Sequence, residues 1–228
     1  MTKRIELLDT VRGLAVVMMT VYHIFFDMAA FEYISYDDLS LPWIKIFQFS
    51  GWMFIFISGA CCNFSRSNFS RGVKIFAIAM VVYSVSLLVD MPIRFGVLHF
   101  LGSAMMLYGL FGKYMENIDG KFGIGFCVVM FAALKYITDN VIVASRLLFP
   151  FGFVYDGFYS ADYYPIFPWI FLFTAGVFVG RYMKRGKVSE KIKSAKVPFL
   201  SWLGQRSLII YILHQPIIYG AFLLIAKI

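Results

Sequence analysis

The sequence predicts an all-α fold, a polytopic membrane helix bundle with about seven transmembrane helices, and three observations carry this prediction. Of the 228 residues, 61% are apolar and only 15% are charged, which is too little polar surface for an ordinary soluble domain. Runs of about 20 mostly apolar residues, long enough to cross a bilayer, recur along the chain. Basic and acidic connections alternate between these runs. The simplest organisation is a single transmembrane domain over residues 1–228.

Each apolar run gives one predicted span, and the first is long enough to act as an uncleaved insertion signal. The predicted spans cover residues 11–31, 43–62, 72–90, 96–115, 122–138, 165–183 and 207–225. Pro92 ends the third helix, because proline cannot donate a helical hydrogen bond. The longest outer connection, residues 140–164, is rich in aromatic residues and glycine, so we expect it to be packed.

The charged residues predict how the chain is oriented. Most of the 21 Lys and Arg residues lie before the first span or in every second connection, beginning with Lys3, Arg4 and Arg12. The basic group after the sixth span is the largest, and it includes Arg181. Positively charged connections face the cytoplasm, so the N-terminus is predicted inside and the C-terminus outside. This arrangement also explains the net charge of +8 without a nucleic-acid partner.

Cysteine and motif patterns exclude several classes of site. Cys61, Cys62 and Cys127 lie inside apolar runs, and an odd number with two adjacent members argues against a disulfide framework. The three histidines are too dispersed for a metal signature, so no metal is expected. The chain also lacks a Walker loop and a GxSxG nucleophile motif.

A histidine and an aspartate at membrane depth are the main functional signal, because ionisable groups there are costly and usually functional. His23 lies eleven residues after Arg12, which is about 16 Å along a helix and near mid-membrane. Asp27 follows at i+4 on the same face, where its carboxylate can orient the imidazole. We expect His23 to act as a general base oriented by Asp27; the alternative is a structural polar pair between helices.

Asp9 and Arg12 form an i, i+3 pair at the inner end of the same span. One interpretation is a surface ion pair that also sets topology. The other is that Arg12 faces a phosphate-bearing ligand that enters from the cytoplasm. Gly13, directly after Arg12, permits close contact with another helix.

Polar residues also mark the outer ends of spans and the last span. Arg94 and His99 flank the short outer turn before span four, and each can be functional or a polar anchor at the interface. Asp162, Tyr163 and Trp169 stand at the outer mouth of span six, where aromatic residues usually form an interfacial belt. His214 and Gln215 precede Pro216 near the middle of the last span, where proline can kink the helix.

Four short segments resemble known membrane acyltransferases. LDTVRG at residues 8–13 leads into His23, and the R-x10-H spacing from Arg12 resembles the signature of the membrane O-acyltransferases that modify sugars and cell-envelope polymers. The other three segments are RFGVLHFLG at 94–102, DYYPIFPW at 162–169, and LGQRSL at 203–208 together with HQP at 214–216. Together they resemble the heparan-alpha-glucosaminide N-acetyltransferase catalytic domain family, including its small bacterial members.

The resemblance implies transfer of an acetyl group from cytoplasmic acetyl-CoA to a hydroxyl or amine of a sugar-type acceptor on the outer side of a bacterial inner membrane, by a chain that can form homodimers. The lysosomal family member carries Asn where His23 stands, and its catalytic histidine lies in the first outer loop. This sequence has no histidine there, so the base is expected at His23 or His99, with His214 nearby. The expected ligands are Arg12, Asp9, Arg206 and Gln215 for acetyl-CoA, and Arg94, Asp162, Tyr163 and Trp169 for the acceptor.

Several alternatives stay open at this point. Transfer can be direct, in a ternary complex, or can pass through an acetyl-histidine. A proton-coupled transporter would use the same buried His and Asp residues as a relay, although the sequence has no inverted repeat. A membrane scaffold or sensor would bind a partner through the basic inner connection instead.

Overall fold

The computed structural model of the chain describes residues 5–225, and its organised structure there is helical. Lys3 and Arg4, which contribute to the predicted orientation, lie outside these residues. The described α-helices are α1 (Glu6–Ala30), α2 (Pro42–Cys62), α3 (Asn68–Leu88), α4 (Val97–Phe111), α5 (Gly120–Asn140), α6 (Ile166–Lys184), α7 (Glu190–Lys193), α8 (Pro198–Gln205) and α9 (Ser207–Ile225).

The helices confirm a polytopic helical membrane protein, but one predicted span is shorter than the others. Between residues 5 and 225, six helices are long and apolar enough to cross a membrane: α1, α2, α3, α5, α6 and α9. The fourth predicted span, residues 96–115, forms only the 15-residue α4, which rises about 22 Å. A 3₁₀-helix at Gly112–Met115 continues it and brings the total rise to about 30 Å. The fourth apolar run therefore changes helix type before it reaches span length.

The described residues divide into two compact units, one with the chain up to Phe54 and from Val188 onward, the other with Ile55–Lys187. In the first unit, α1 and α8 touch along their backbones. A Cβ added at Gly13 would lie 1.8 Å from the carbonyl oxygen of Leu200. A Cβ at Gly204 would lie 1.9 Å from the carbonyl oxygen of Asp9. The predicted close approach at Gly13 is therefore present, and α8 is the partner helix.

The second unit contains α3 to α6 and the later part of α2. Its helices also approach through glycine, since a Cβ at Gly59 would meet the backbone of Phe173 at 2.0 Å. The side-chain amide of Asn63 donates to the carbonyl of Val177 at 2.9 Å and joins the ends of α2 and α6. These contacts hold the framework on which the outer connection, residues 140–164, is packed.

Arg181 lies inside α6. The charge pattern had instead predicted that it belongs to the basic connection after the sixth span. It is only 8% exposed, and its Nη1 donates to the carbonyl oxygens of Met115, Glu116 and Ile118. These carbonyls belong to the turn after α4, where a helix end leaves acceptors unsatisfied. Arg181 thus fastens this turn to α6.

Candidate functional site

The first unit brings two of the three histidines together. The rings of His23 on α1 and His214 on α9 stand edge to face, with centroids 4.7 Å apart and planes at 81°. His214 is 8% exposed, and His23 is partly buried. The two residues are far apart in the sequence, so this pairing depends on the packing of α9 against α1.

Backbone carbonyls determine the tautomer of both rings. The Nδ1 of His23 lies 2.8 Å from the carbonyl oxygen of Met19, and the Nδ1 of His214 lies 2.6 Å from that of Tyr211. A carbonyl only accepts, so each Nδ1 must carry the proton. In a neutral imidazole the other nitrogen then has a free lone pair. Both Nε2 atoms are therefore in the form that a general base requires.

Asp27 does not orient His23 through a hydrogen bond, contrary to the expectation from the i+4 spacing. Its Oδ1 accepts a 2.9 Å hydrogen bond from the side-chain amide of Gln215 on α9. The Nδ1 of His23 is held by a carbonyl of its own helix instead. Gln215, expected to contact acetyl-CoA, thus donates its amide to the fully buried Asp27. The pair links α1 to α9 at the depth of the two histidines.

Three buried acceptor atoms around this pair have no hydrogen-bond partner among residues 5–225. They are Oδ2 of Asp27, Oε1 of Gln215 and Nε2 of His214. Buried polar atoms are normally satisfied, and an unsatisfied one costs about 1–3 kcal/mol. A donor group from water or from a ligand is the missing complement, so this part of the unit suits a polar molecule.

The N-terminal part of α1 carries the predicted cation. Arg12 and Asp9 form the expected i, i+3 ion pair at 3.2 Å, with the Arg12 side chain 20% exposed. Arg206 lies at the junction of α8 and α9, is exposed, and stacks on Trp202 at 4.5 Å. A guanidinium carries five N–H donors in a planar fork that suits an anion such as a phosphate.

In the second unit, His99 has a structural role at the start of α4. Its Nδ1 accepts from the backbone N–H of Gly96 at 3.3 Å, as a capping residue does in the first turn of a helix. Its neutral tautomer is therefore protonated at Nε2, opposite to that of His23. A ring in this state donates and offers no free base, so the geometry favours His23 over His99.

The outer connection is fixed to the start of α4 by the residues expected to bind the acceptor. The Oδ2 of Asp162 accepts from the backbone N–H of Val97 at 2.9 Å and so caps α4. Arg94 donates to the hydroxyl of Tyr155, and its guanidinium lies 5.6 Å from the ring centre of Phe158.

The two aromatic residues of this group also have partners in the protein. Tyr163 donates to the carbonyl of Phe149 at 2.6 Å, and burial raises the pKa of its phenol. The Trp169 ring packs on that of Tyr164 at 4.8 Å and on that of Phe131 at 5.5 Å. Contact of Tyr163 and Trp169 with an acceptor stays a prediction.

Replacing Asp162 tests its capping role. We expect Asp162→Ala to lower the free energy of unfolding by about 0.5–2 kcal/mol, because α4 loses its cap, whereas the amide oxygen in Asp162→Asn can still accept. Thermal unfolding in detergent measures both. Asp156→Ala, an exposed acid of the same connection, is the matched control. Equal unfolding temperatures with a raised KM in both Asp162 variants would instead indicate acceptor binding.

Sequence reasoning missed Tyr155, Phe158 and Ser160, which hold Arg94 in place. The hydroxyl of Ser160 accepts from the backbone N–H of Arg94 at 3.0 Å. The only signal was the aromatic composition of the outer connection, which indicated packing but not the partner of any one residue.

The sequence matches a protein-family model described as heparan-alpha-glucosaminide N-acetyltransferase, catalytic, over residues 4–216. The match takes in α1 through the first half of α9, and thus includes His23, Asp27, His99 and His214. No curated protein and no solved structure gives a significant match.

Proposed function

Because this chain belongs to the heparan-alpha-glucosaminide N-acetyltransferase catalytic family, a family of membrane acetyltransferases, we propose that it transfers an acetyl group from acetyl-CoA to a sugar-type acceptor. The observation that carries the proposal is the tautomer of His23. Its Nδ1 is occupied by the Met19 carbonyl, so the Nε2 lone pair is available within a continuous 25-residue helix, about 16 Å along the axis from Arg12.

The proposed reaction is direct transfer with His23 as the general base. The Nε2 of His23 removes the proton from the acceptor hydroxyl or amine as the acceptor attacks the thioester carbonyl. The bond between the acetyl carbon and the CoA sulfur breaks, and the proton passes from His23 to the thiolate. An ester or amide and free CoA result. His214 lies within reach to stabilise the charge on His23, since the two ring centres are 4.7 Å apart.

The donor site that we propose runs along α1. Arg12 lies about 16 Å from His23 along the helix axis, comparable to the length of a pantetheine arm. Arg12 and Arg206 would hold the phosphates, consistent with a cytoplasmic inner end. The unsatisfied acceptors on Asp27, Gln215 and His214 favour a ligand with N–H or O–H donors nearby, which pantetheine amides and a sugar both supply.

The test of this function is acetyl-CoA binding and turnover by the purified protein in detergent. Calorimetry with acetyl-CoA is expected to show saturable binding. Incubation of the protein with acetyl-CoA and each of a panel of amino and neutral sugars is expected to release the free thiol of CoA for at least one sugar. Failure of the folded protein both to bind acetyl-CoA and to release thiol would contradict the proposal.

Arg12→Ala is expected to weaken acetyl-CoA binding about 10- to 100-fold, because a hydrogen bond to a charged group contributes about 1.5–3 kcal/mol. Titration calorimetry measures the change. Arg66→Ala removes an exposed basic residue of another inner connection and should leave the affinity unchanged. Wild-type affinity in the Arg12 variant would make this arginine a purely structural partner of Asp9.

A proton-coupled transporter is the second candidate, and the paired rings of His23 and His214 beside the fully buried Asp27 favour it. Such a protein would take a solute up into proteoliposomes in response to a pH gradient and would leave acetyl-CoA intact. Release of the CoA thiol without solute uptake would identify an acetyltransferase and exclude this transporter.

A further inference from the structure

A cavity of about 500 Å³ lies in the second unit, and its wall includes neither His23, His214, Arg12 nor Arg206. Its size is that of an ordinary small-molecule site, about 300–1,000 Å³. Most of its wall is apolar: Phe76, Met80 and Leu87 from α3, Phe95 before α4, and Phe149 and Pro150 from the outer connection. Tyr83, Arg94 and His99 complete the wall.

His99 gives the cavity a polar donor. The side chain is 3% exposed, and its Nδ1 is occupied by the backbone of Gly96, so the neutral ring carries its proton on Nε2. Among residues 5–225, no hydrogen-bond partner for this Nε2 is found. The ring lines the cavity, so this N–H is a donor that a ligand in the cavity can use.

Arg94 adds a fixed positive charge to the same wall. Its side chain is held by the Tyr155 hydroxyl and by the face of Phe158, so the guanidinium is set in place before any ligand arrives. Within the described residues, no carboxylate lines the cavity. A ligand head with acceptor oxygens or negative charge is favoured there, and a cationic head is disfavoured.

The cavity is open, and part of its wall is an exposed apolar face of α3. Met80 and Leu87 both line it and are 44% and 48% exposed. α3 is one of the candidate spans, so in a bilayer this face contacts lipid chains. A molecule can therefore reach the cavity sideways from the hydrocarbon region, without passing through water.

We propose that this cavity binds a lipid-type anion, with its alkyl chain against Phe76, Met80 and Leu87 and its oxygen-bearing head at Arg94 and His99. The head can be the carboxylate of a fatty acid or the phosphate of a lipid phosphate, because both offer charged acceptor oxygens. The proposal concerns binding alone and does not depend on acetyl transfer.

Photolabelling of the full chain in phosphatidylcholine nanodiscs tests the site, with a diazirine analogue of palmitic acid as the probe. We expect saturable labelling near Met80 and Phe149. Oleate or oleyl phosphate should displace the probe at about tenfold lower concentration than oleylamine does. The anion that displaces the probe at the lower concentration identifies the preferred head group as a carboxylate or a phosphate. Displacement by oleylamine as effective as that by oleate would overturn the proposal.

A matched pair of variants on α3 tests the position. Met80→Trp fills the cavity and should reduce labelling about tenfold. Val81 is 63% exposed and does not line the cavity, so Val81→Trp should be labelled like the wild-type protein. Leu87→Trp serves as the second cavity-filling variant if Met80→Trp does not fold. Arg94→Gln should remove the preference for anions. Wild-type labelling in a folded cavity-filling variant would refute the site.

Discussion

His23→Gln is expected to lower kcat for acetyl transfer by about 10²–10⁴, the usual contribution of a positioned general base. The variant loses the free Nε2 lone pair, while the glutamine side chain can still donate to the carbonyl of Met19. Folding should be preserved, because His23 is only partly buried and its side chain is not the residue that joins α1 to α9. Thiol release at saturating acetyl-CoA measures the effect.

His99→Gln is the comparison that separates the two candidate bases. Glutamine at this position can accept from the backbone N–H of Gly96, as it does in a capping box, so α4 keeps its cap. We expect kcat to fall less than about tenfold in this variant, well short of the loss of a base. A larger loss with His99→Gln than with His23→Gln, at unchanged unfolding temperatures, would move the base to His99.

Gly204→Ala is expected to destabilise the protein strongly, although it adds only one methyl group. The new Cβ would lie 1.9 Å from the carbonyl oxygen of Asp9, a backbone atom that cannot rotate away. α1 and α8 must then separate, and overpacking of this kind costs about 1–3 kcal/mol or more. Acetyl-CoA affinity should fall as well, because Asp9 holds Arg12 in its ion pair. Thermal unfolding and calorimetry measure the two effects.

Gly220→Ala is the matched control in the same unit. Nothing lies within 4 Å of a Cβ at this position on α9, so the methyl group meets no neighbour. Alanine is a better helix former than glycine by about 1 kcal/mol, and the unfolding temperature should stay the same or rise. Equal destabilisation by Gly204→Ala and Gly220→Ala would show that the contact between α1 and α8 does not determine stability.

The sequence predicted the spans closely, because a bilayer imposes a length and an apolar composition that can be read locally. The last span was predicted at residues 207–225, and α9 runs from Ser207 to Ile225. The fourth span was the exception, since hydropathy does not report the change to a 3₁₀-helix at Gly112. The position of His23 about 16 Å along α1 from Arg12 followed from helical rise in the same way.

Partners between distant segments could not be predicted from one sequence. The i+4 spacing placed Asp27 on the face of His23, yet the carboxylate bonds to Gln215, 188 positions later in the chain. Asp162 looked like a ligand for the acceptor because it stands at an outer mouth, but its carboxylate caps α4. In both cases, a backbone or side-chain donor from another segment competes for the same oxygen, and periodicity carries no information on that donor.

The hydrogen bond between Asp27 and Gln215 can form only late in the biosynthesis of the protein. α1 is synthesised first, and its fully buried carboxyl group receives its partner only after 188 further residues, roughly 10–40 s at about 5–20 residues per second. During that interval, α1 carries a polar group whose final hydrogen bond does not yet exist. The newly inserted first helix must therefore remain near water, the insertion machinery or another polar surface until the last helix arrives.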